Sequence, residues 1–229
     1  MSWNKIWDEI FLSKKWGQYP GEPLIRFIAK YFYEKERSQI KILEIGCGPG
    51  ANLWFCAREG FEVYGIDISK SAVIQCQERL NNEIPYWKGK IVQGIATKLP
   101  FRELYFDAVI DNECCSCIEL EDAIKTYNEA WRVLKPKGKL FIRTFSSGSD
   151  GDQTGKEISK NTWLTNSGKT AGKGPIRYTH DSDFKKLLPD NKFRTITKEL
   201  TKESNTNIQK WTIEWLIVVE KIINLDSEK

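Results

Sequence analysis

Gly46-Cys47-Gly48-Pro49-Gly50 breaks a short apolar run, Lys41 to Ile45, and a carboxylate stands at Asp67, at the end of the next apolar run. Glycine lets the backbone approach a ligand without a Cβ in the way, and the free amides at the start of a following helix face the same crevice. These residue types are those of a nucleotide cradle, with Glu44 inside the preceding run and Asp67 able to accept from both hydroxyls of a ribose. Two other places could do chemistry. His180, the only histidine, lies in Tyr178-Thr179-His180-Asp181-Ser182, where it reads either as a catalytic base for an alcohol or phenol, or as a residue near a helix N-cap. The cluster Cys114, Cys115, Cys117 reads as strand-end packing or a metal site; no second Cys/His pair with zinc-like spacing accompanies it, so no metal is expected.

The elements that must position these residues alternate. Strands are expected at Lys41 to Ile45, Phe61 to Ile66, Lys90 to Gln93, Phe106 to Asp111 and Leu140 to Phe145. Helices fall between them, over 51–59, after the N-cap Ser69, and from Leu120 to Leu134 before Pro136 and Gly138. Such alternation gives a parallel sheet covered on both faces. Ahead of it, Trp3, Ile6, Trp7, Ile10, Phe11 and then Leu24, Ile25, Ile28, Phe32 recur at helical spacing, around a Trp16 to Gly21 loop. Residues 146–176 are rich in Ser, Gly, Lys and Thr, with Ile158, Trp163 and Leu164 as apolar anchors, and read as a mobile lid. A short helix, Asp183 to Leu188, and two strands, Lys192 to Leu200 and Gln209 to Lys221, close the chain as a hairpin around Lys202 to Asn207. The fold class is therefore α/β: a Rossmann-like, doubly wound, seven-stranded sheet, mostly parallel, with a C-terminal antiparallel hairpin and an N-terminal helical cap. One domain, 1–229, divides into the cap (1–38), the cofactor-binding core (39–145), the lid and substrate region (146–180) and the C-terminal helix and hairpin (181–223).

Composition sets the outer bounds. With 229 residues, 40% hydrophobic and 29% charged, the chain suits one globular domain with an ordinary core. No apolar run is long enough to span a membrane, and MSWNKIWDEIF is unlike a signal peptide, so the expected location is the cytoplasm, which six cysteines in apolar patterns fit. A net charge of +4 does not by itself call for a nucleic acid.

A dinucleotide enzyme would carry Gly-x-Gly-x-x-Gly, whereas Gly46, Gly48 and Gly50 form Gly-x-Gly-x-Gly, which favours a smaller adenosyl ligand without a pyrophosphate. Leu43-Glu44-Ile45-Gly46-Cys47-Gly48-Pro49-Gly50, Val63 to Ser69, Leu99-Pro100-Phe101, Tyr105 to Val109 and Glu129 to Gly138 together resemble the class I S-adenosylmethionine-dependent methyltransferases, especially the small-molecule branch typified by ubiquinone and menaquinone biosynthesis enzymes. The resemblance runs in order from about residue 40 to 145. It implies that Gly46, Cys47 and Gly48 pass under the methionine part of S-adenosylmethionine, with Glu44 and Asn52 beside that turn, Asp67 on the ribose and Ile68 on adenine. Ile95-Ala96 stands where relatives often place Asp before Ala, leaving backbone and apolar contact to the adenine. Asp111 and Asn112 are expected to border the methionine, with Trp16 on the cofactor. Tyr19, Glu113, Cys117, Trp163 and Tyr178 are expected on the acceptor side, and His180 remains the candidate base. Where many relatives have histidines after the fourth strand, this chain has Ser116 and Cys117.

A sulfonium is already an activated methyl donor, so positioning and water exclusion outweigh a base, and aromatics such as Trp16, Tyr19 or Trp163 can attract it. The leading expectation is methyl transfer to a small metabolite or glycan precursor, giving S-adenosylhomocysteine. A basic rim of Lys156, Lys160, Lys169, Lys173, Arg177, Lys185 and Lys186 keeps an RNA acceptor as the alternative. A non-catalytic cofactor-binding partner subunit is the other.

Overall fold

A computed structural model describes residues 3–13, 16–205 and 210–222. In chain order the elements are α1 (Trp3–Ser13), α2 (Glu22–Phe32), β1 (Lys41–Ile45), α3 (Ala51–Arg58), β2 (Glu62–Asp67), α4 (Lys70–Glu83), β3 (Gly89–Gln93), β4 (Phe106–Asn112), α5 (Leu120–Val133) and β5 (Leu134–Phe145). They continue with β6 (Lys156–Ser159), β7 (Thr162–Leu164), β8 (Pro175–Arg177), α6 (Phe184–Leu187), β9 (Phe193–Asn205) and β10 (Lys210–Lys221). The main sheet runs β3-β2-β1-β4-β5-β10-β9, and β6-β7-β8 form a second, three-stranded sheet. Only the pairings of β10, with β5 and β9, are antiparallel in the main sheet.

The central strands are apolar because both their faces are covered. Ile42, Val63, Ile110 and Phe141 face α2, α3 and α4, in a core with Phe27, Ile28, Leu53 and Cys76. Leu43, Ile45, Val109 and Ile142 face α5 and α6, against Ala123, Tyr127 and Phe184. α2 starts with Pro23 in its first turn and buries Leu24, Phe27, Ile28 and Phe32 along one stripe. Ser69 caps α4, its hydroxyl accepting from the Ala72 amide at 3.1 Å. Glu129 and Arg132 of α5 tie down the Leu99 to Phe101 loop: Glu129 accepts from the Leu99 amide at 2.8 Å, and Arg132 donates to the carbonyls of Leu99 and Phe101. Strand order turns back on itself between β1 and β4, so their carboxyl ends open a crevice at the place where such sheets bind ligands.

Three expectations change. Strand five begins at Leu134, directly after α5, and tolerates Pro136 through a break in register with β4 and a left-handed Lys137, φ 62°. β9 extends to Asn205, pairing with Lys210, so 202–205 are strand where a turn is expected; the rest of that turn, 206–207, the expected strand start Gln209 and residue 223 lie outside the described residues. The 146–176 stretch is not without structure. Ile176 of its sheet joins Phe145 of β5 and Tyr178 in a small apolar cluster, with Cys117 and Trp163 against it, and the region buries Thr162, Thr165, Thr170 and Arg177.

That buried polar content explains why a hydrophobic pattern missed the second sheet. Its root is a hydrogen-bonded chain. Arg177 donates to the Thr179 hydroxyl at 2.7 Å and to the Cys115 carbonyl at 2.9 Å, while Thr144 lies between the hydroxyls of Thr179 and Ser116 at 3.3 and 2.8 Å. No helix among the described residues is long and apolar enough to cross a membrane.

Candidate functional site

The turn after β1 uses positive φ at Gly46, 66°, Gly48, 50°, and Gly50, 85°. The amides of Gly46 and Cys47 donate to the Ile66 carbonyl at 2.8 and 3.1 Å, which ties the turn to β2. A Cβ on Gly46 would run into the Cys114 side chain, and one on Gly50 would lie 2.5 Å from the Cys76 sulfur. Gly46→Ala is therefore expected to destabilise the protein by about 1–3 kcal/mol from backbone strain alone, measured by chemical denaturation, and to displace the 114–117 turn that roofs the crevice. An unchanged denaturation midpoint would contradict this account.

Buried carboxylates stand at the heads of the three strands around the crevice. Glu44 is 2% exposed; its Oε1 accepts from Asn52 Nδ2 at 2.5 Å, and its Oε2 has no partner among the described residues. Burial pushes its pKa up to about 8, against the Asn52 hydrogen bond, and the charges of Asp67 and Asp111 add to the rise. Asp67 accepts from the Gly48 amide at 2.8 Å through Oδ2 and from the Ser69 amide at 2.9 Å through Oδ1, and burial raises its pKa as well. Asp111 is fully buried and raised by burial. Its oxygens are taken within the protein: Oδ1 by the amides of Cys114 and Cys115, Oδ2 by the Tyr127 hydroxyl at 2.6 Å. Asp111 thus anchors the turn after β4, leaving Glu44 and Asp67 as the carboxylates turned toward the glycine loop.

Ile68 is half-buried, and Ile95, 52% exposed, is brought near it because the Gly94 amide donates to the Asp67 carbonyl and Gln93 Nε2 to the Ile68 carbonyl. With Ala96 they form an apolar edge next to Asp67. Asn112 pairs in register with Arg143 of β5. Glu113 follows with φ 69°, a left-handed backbone that is uncommon for glutamate. Its Oε1 lies 3.3 Å from Arg143 Nε, and Arg143 also pairs with Glu214 at 2.7 Å. Burial and the neighbouring Glu214 push Glu113 up to about 7, with Arg143 opposing. The Cys117 thiol donates to the Glu113 carbonyl at 3.4 Å, and burial holds it protonated.

Several expected residues sit elsewhere. Tyr178 is 1% exposed, with its hydroxyl on the Asp150 carbonyl at 3.4 Å; it is part of the small cluster beside the second sheet, against which the half-buried Trp163 packs. His180 occupies the N-cap of the 3-10 turn Asp181–Asp183, its amide donating to Asp183 Oδ2 at 3.0 Å, so a local capping role accounts for it. Tyr19 is 70% exposed and packs edge-on against Trp54 of α3 at 5.4 Å. Trp16 touches the crevice through Phe11, at 5.3 Å between rings, and lies under Lys173 of the 146–180 region. Phe11 itself was read from the sequence only as part of a helical apolar stripe, yet its ring is 3.5 Å from where a Gly48 Cβ would stand. Nothing in that spacing separates a roof residue from a core residue.

Residues 43–142 match the family described as methyltransferase domain. The Bacillus subtilis protein YqeM, named as a methyltransferase, is 29% identical over 62% of this chain and 53% of its own length. The erythromycin 3''-O-methyltransferase of Saccharopolyspora erythraea is 33% identical over 44% of this chain and 33% of its own length. The chain thus spans about half, or less, of the curated relatives it matches. A SAM-dependent methyltransferase structure from Methanosarcina mazei superposes with a TM-score of 0.67 at 18% identity, over 86% of this chain and 97% of that one, a likeness of fold.

Proposed function

We propose that this chain, whose residues 43–142 match the methyltransferase-domain family and whose fold is like that of a SAM-dependent methyltransferase, is a class I S-adenosylmethionine-dependent methyltransferase that moves the cofactor's methyl group to a small-molecule acceptor, a metabolite or glycan precursor with an O–H or N–H to methylate. The observation that carries the cofactor reading is the Glu44 Oε2 atom, a buried carboxylate oxygen without a partner among the described residues, beside a glycine turn and near a second buried carboxylate. Such a crevice suits a ligand bearing positive charge. Glu44 would take the ammonium end of S-adenosylmethionine, with Asn52 fixing its other oxygen. Asp67 would accept from the ribose hydroxyls, the backbone of Gly46, Cys47 and Gly48 would pass under the methionine part, and Ile68, Ile95 and Ala96 would cover the adenine.

The bound cofactor supplies a sulfonium-activated methyl group. This chain's residues bind, orient and keep water out. The 146–180 region and the Trp16 to Gly21 loop form the acceptor side of the single domain, and Glu113, with Arg143 beside it, is the group that takes the acceptor's proton. Transfer of radiolabelled methyl from S-adenosylmethionine to a fractionated small-metabolite pool, with mass identification of the product, tests the function. Label that goes only to RNA, or to nothing while the cofactor stays bound, would refute the small-molecule reading.

With the acceptor so identified, Glu113→Gln is expected to lower kcat by about 10²- to 10⁴-fold, the usual range for a lost general base. In the parent enzyme, kcat/KM should rise as pH passes through about 7, where Glu113 becomes ionised. His180→Gln is expected to leave both unchanged. A pH profile that persists in the Glu113 variant would remove it from the base role.

A further inference from the structure

Asp8, on α1, has its Oδ1 within 2.5 Å of the Ser69 hydroxyl, 2.9 Å of the Ser71 hydroxyl and 3.0 Å of the Ser71 amide, all three donating to it. Burial tends to raise its pKa, but these bonds from Ser69 and Ser71 bring it below the ordinary carboxylate value. The ionised group also faces the positive end of α4. Ser69 is the pivot. Its amide donates to Asp67 Oδ1 at 2.9 Å while its hydroxyl donates to Asp8, so a single residue bridges the carboxylate at the head of β2 and the helix that lies over the glycine turn. The α1 side of that contact continues to the ligand crevice. Gln75 of α4 donates to the Phe11 carbonyl at 3.0 Å, and the Phe11 ring, flanked by Trp7 and Trp16, rests against Gly48.

We propose that Asp8 is a positioning residue for the cofactor: through Ser69 and Ser71 it pins α1 to the N-terminus of α4 and holds the Phe11 ring over Gly48, which slows the escape of an adenosyl ligand. This rests on the cofactor reading above. Asp8 and Asp67 are two carboxylates on one serine, and the negative charge of each disfavours the other. Ligand hydroxyls that donate to Asp67 disperse its charge and so strengthen the pinned arrangement. By reciprocity, the pinned helix strengthens the hold on the ligand. Phe11 supplies the steric part and Asp8 the directional part.

The test is a chase of radiolabelled S-adenosylmethionine, preloaded on the full chain, with excess unlabelled S-adenosylhomocysteine. Asp8→Ala is expected to raise the dissociation rate by about tenfold, the equivalent of one charge-assisted hydrogen bond. Phe11→Ala should do the same with the Asp8 contacts intact, and Asp8→Asn, which keeps an acceptor oxygen without the charge, should fall between. Hydrogen exchange gives a second readout: α1 amides should slow when S-adenosylhomocysteine binds the parent, and should slow less in Asp8→Ala. If Asp8→Ala does not fold, the other two variants carry the same test. Dissociation and exchange unaltered in all folded variants overturn the proposal while leaving the cofactor reading intact. A parent protein that retains no labelled cofactor overturns both.

Discussion

Asp67→Ala is expected to weaken binding of S-adenosylmethionine and S-adenosylhomocysteine by about a hundred- to ten-thousandfold, as read by calorimetry. A bidentate acceptor for two ribose hydroxyls involves two hydrogen bonds to a charged group, each contributing about 1.5–3 kcal/mol, and about 1.4 kcal/mol corresponds to one decade of affinity. The loss has a second source. Asp67 also accepts from the amides of Gly48 and Ser69, so its removal frees the glycine loop and the start of α4 together. Asp67→Asn separates the two contributions, because one amide oxygen can still accept from one of these N–H groups. Its affinity should lie between those of the parent and Asp67→Ala. An Ala variant that binds as tightly as the parent would refute the ribose assignment.

The second large effect belongs to Glu44. With its pKa pushed up to about 8 in the empty protein, Glu44 carries a proton at pH 7, whereas pairing with the cofactor's ammonium requires the carboxylate. Binding at pH 7 should therefore release about one proton from this group, and calorimetry in buffers of different ionisation enthalpy would measure it. Affinity should rise as pH increases toward about 8. Glu44→Gln should abolish both the proton release and most of the affinity.

The same shift fixes the sign of a stability effect. A carboxyl whose folded pKa lies above its ordinary value of 4.5 costs nothing at acid pH, and its ionisation destabilises the empty fold progressively as pH rises from 4.5 to about 8. The full cost is on the order of a few kcal/mol. Glu44→Gln should thus gain thermal stability over the empty parent across that window. Parallel pH–stability curves for parent and variant would show that Glu44 is not held protonated.

The alternation of elements is readable from residues 41 to 145 because both faces of the central strands are apolar and two connecting helices carry their own signals, Gly60 after α3 and Ser69 before α4; Pro136, expected to stop α5, lies within β5 instead. Leu99 to Phe101 and Glu129 to Gly138, which carried part of the resemblance, pack on each other rather than line the crevice. A sequence motif records contact as readily as chemistry. The second sheet was not readable, since it is held by buried threonines and an arginine that a hydropathy pattern scores as solvent-facing. In the candidate site, residue type and spacing single out Glu44 and the glycine turn, which the fold brings together. Asp8, Phe11 and Arg143 are not singled out, because their parts depend on which distant element they meet: Ser69, Gly48 and Glu113.

The chain of hydroxyls and guanidinium that roots the second sheet has a thermal consequence. Heat capacity rises when apolar surface meets water and falls when polar surface does. Separating Arg177, Thr179, Thr144 and Ser116 exposes both kinds, since Phe145, Ile176 and Tyr178 lie beside them. The two contributions oppose, so detaching this sheet changes the heat capacity less, per unit of surface exposed, than opening the apolar main core does. Cooling that loosens the apolar core therefore weakens the attachment of the second sheet less.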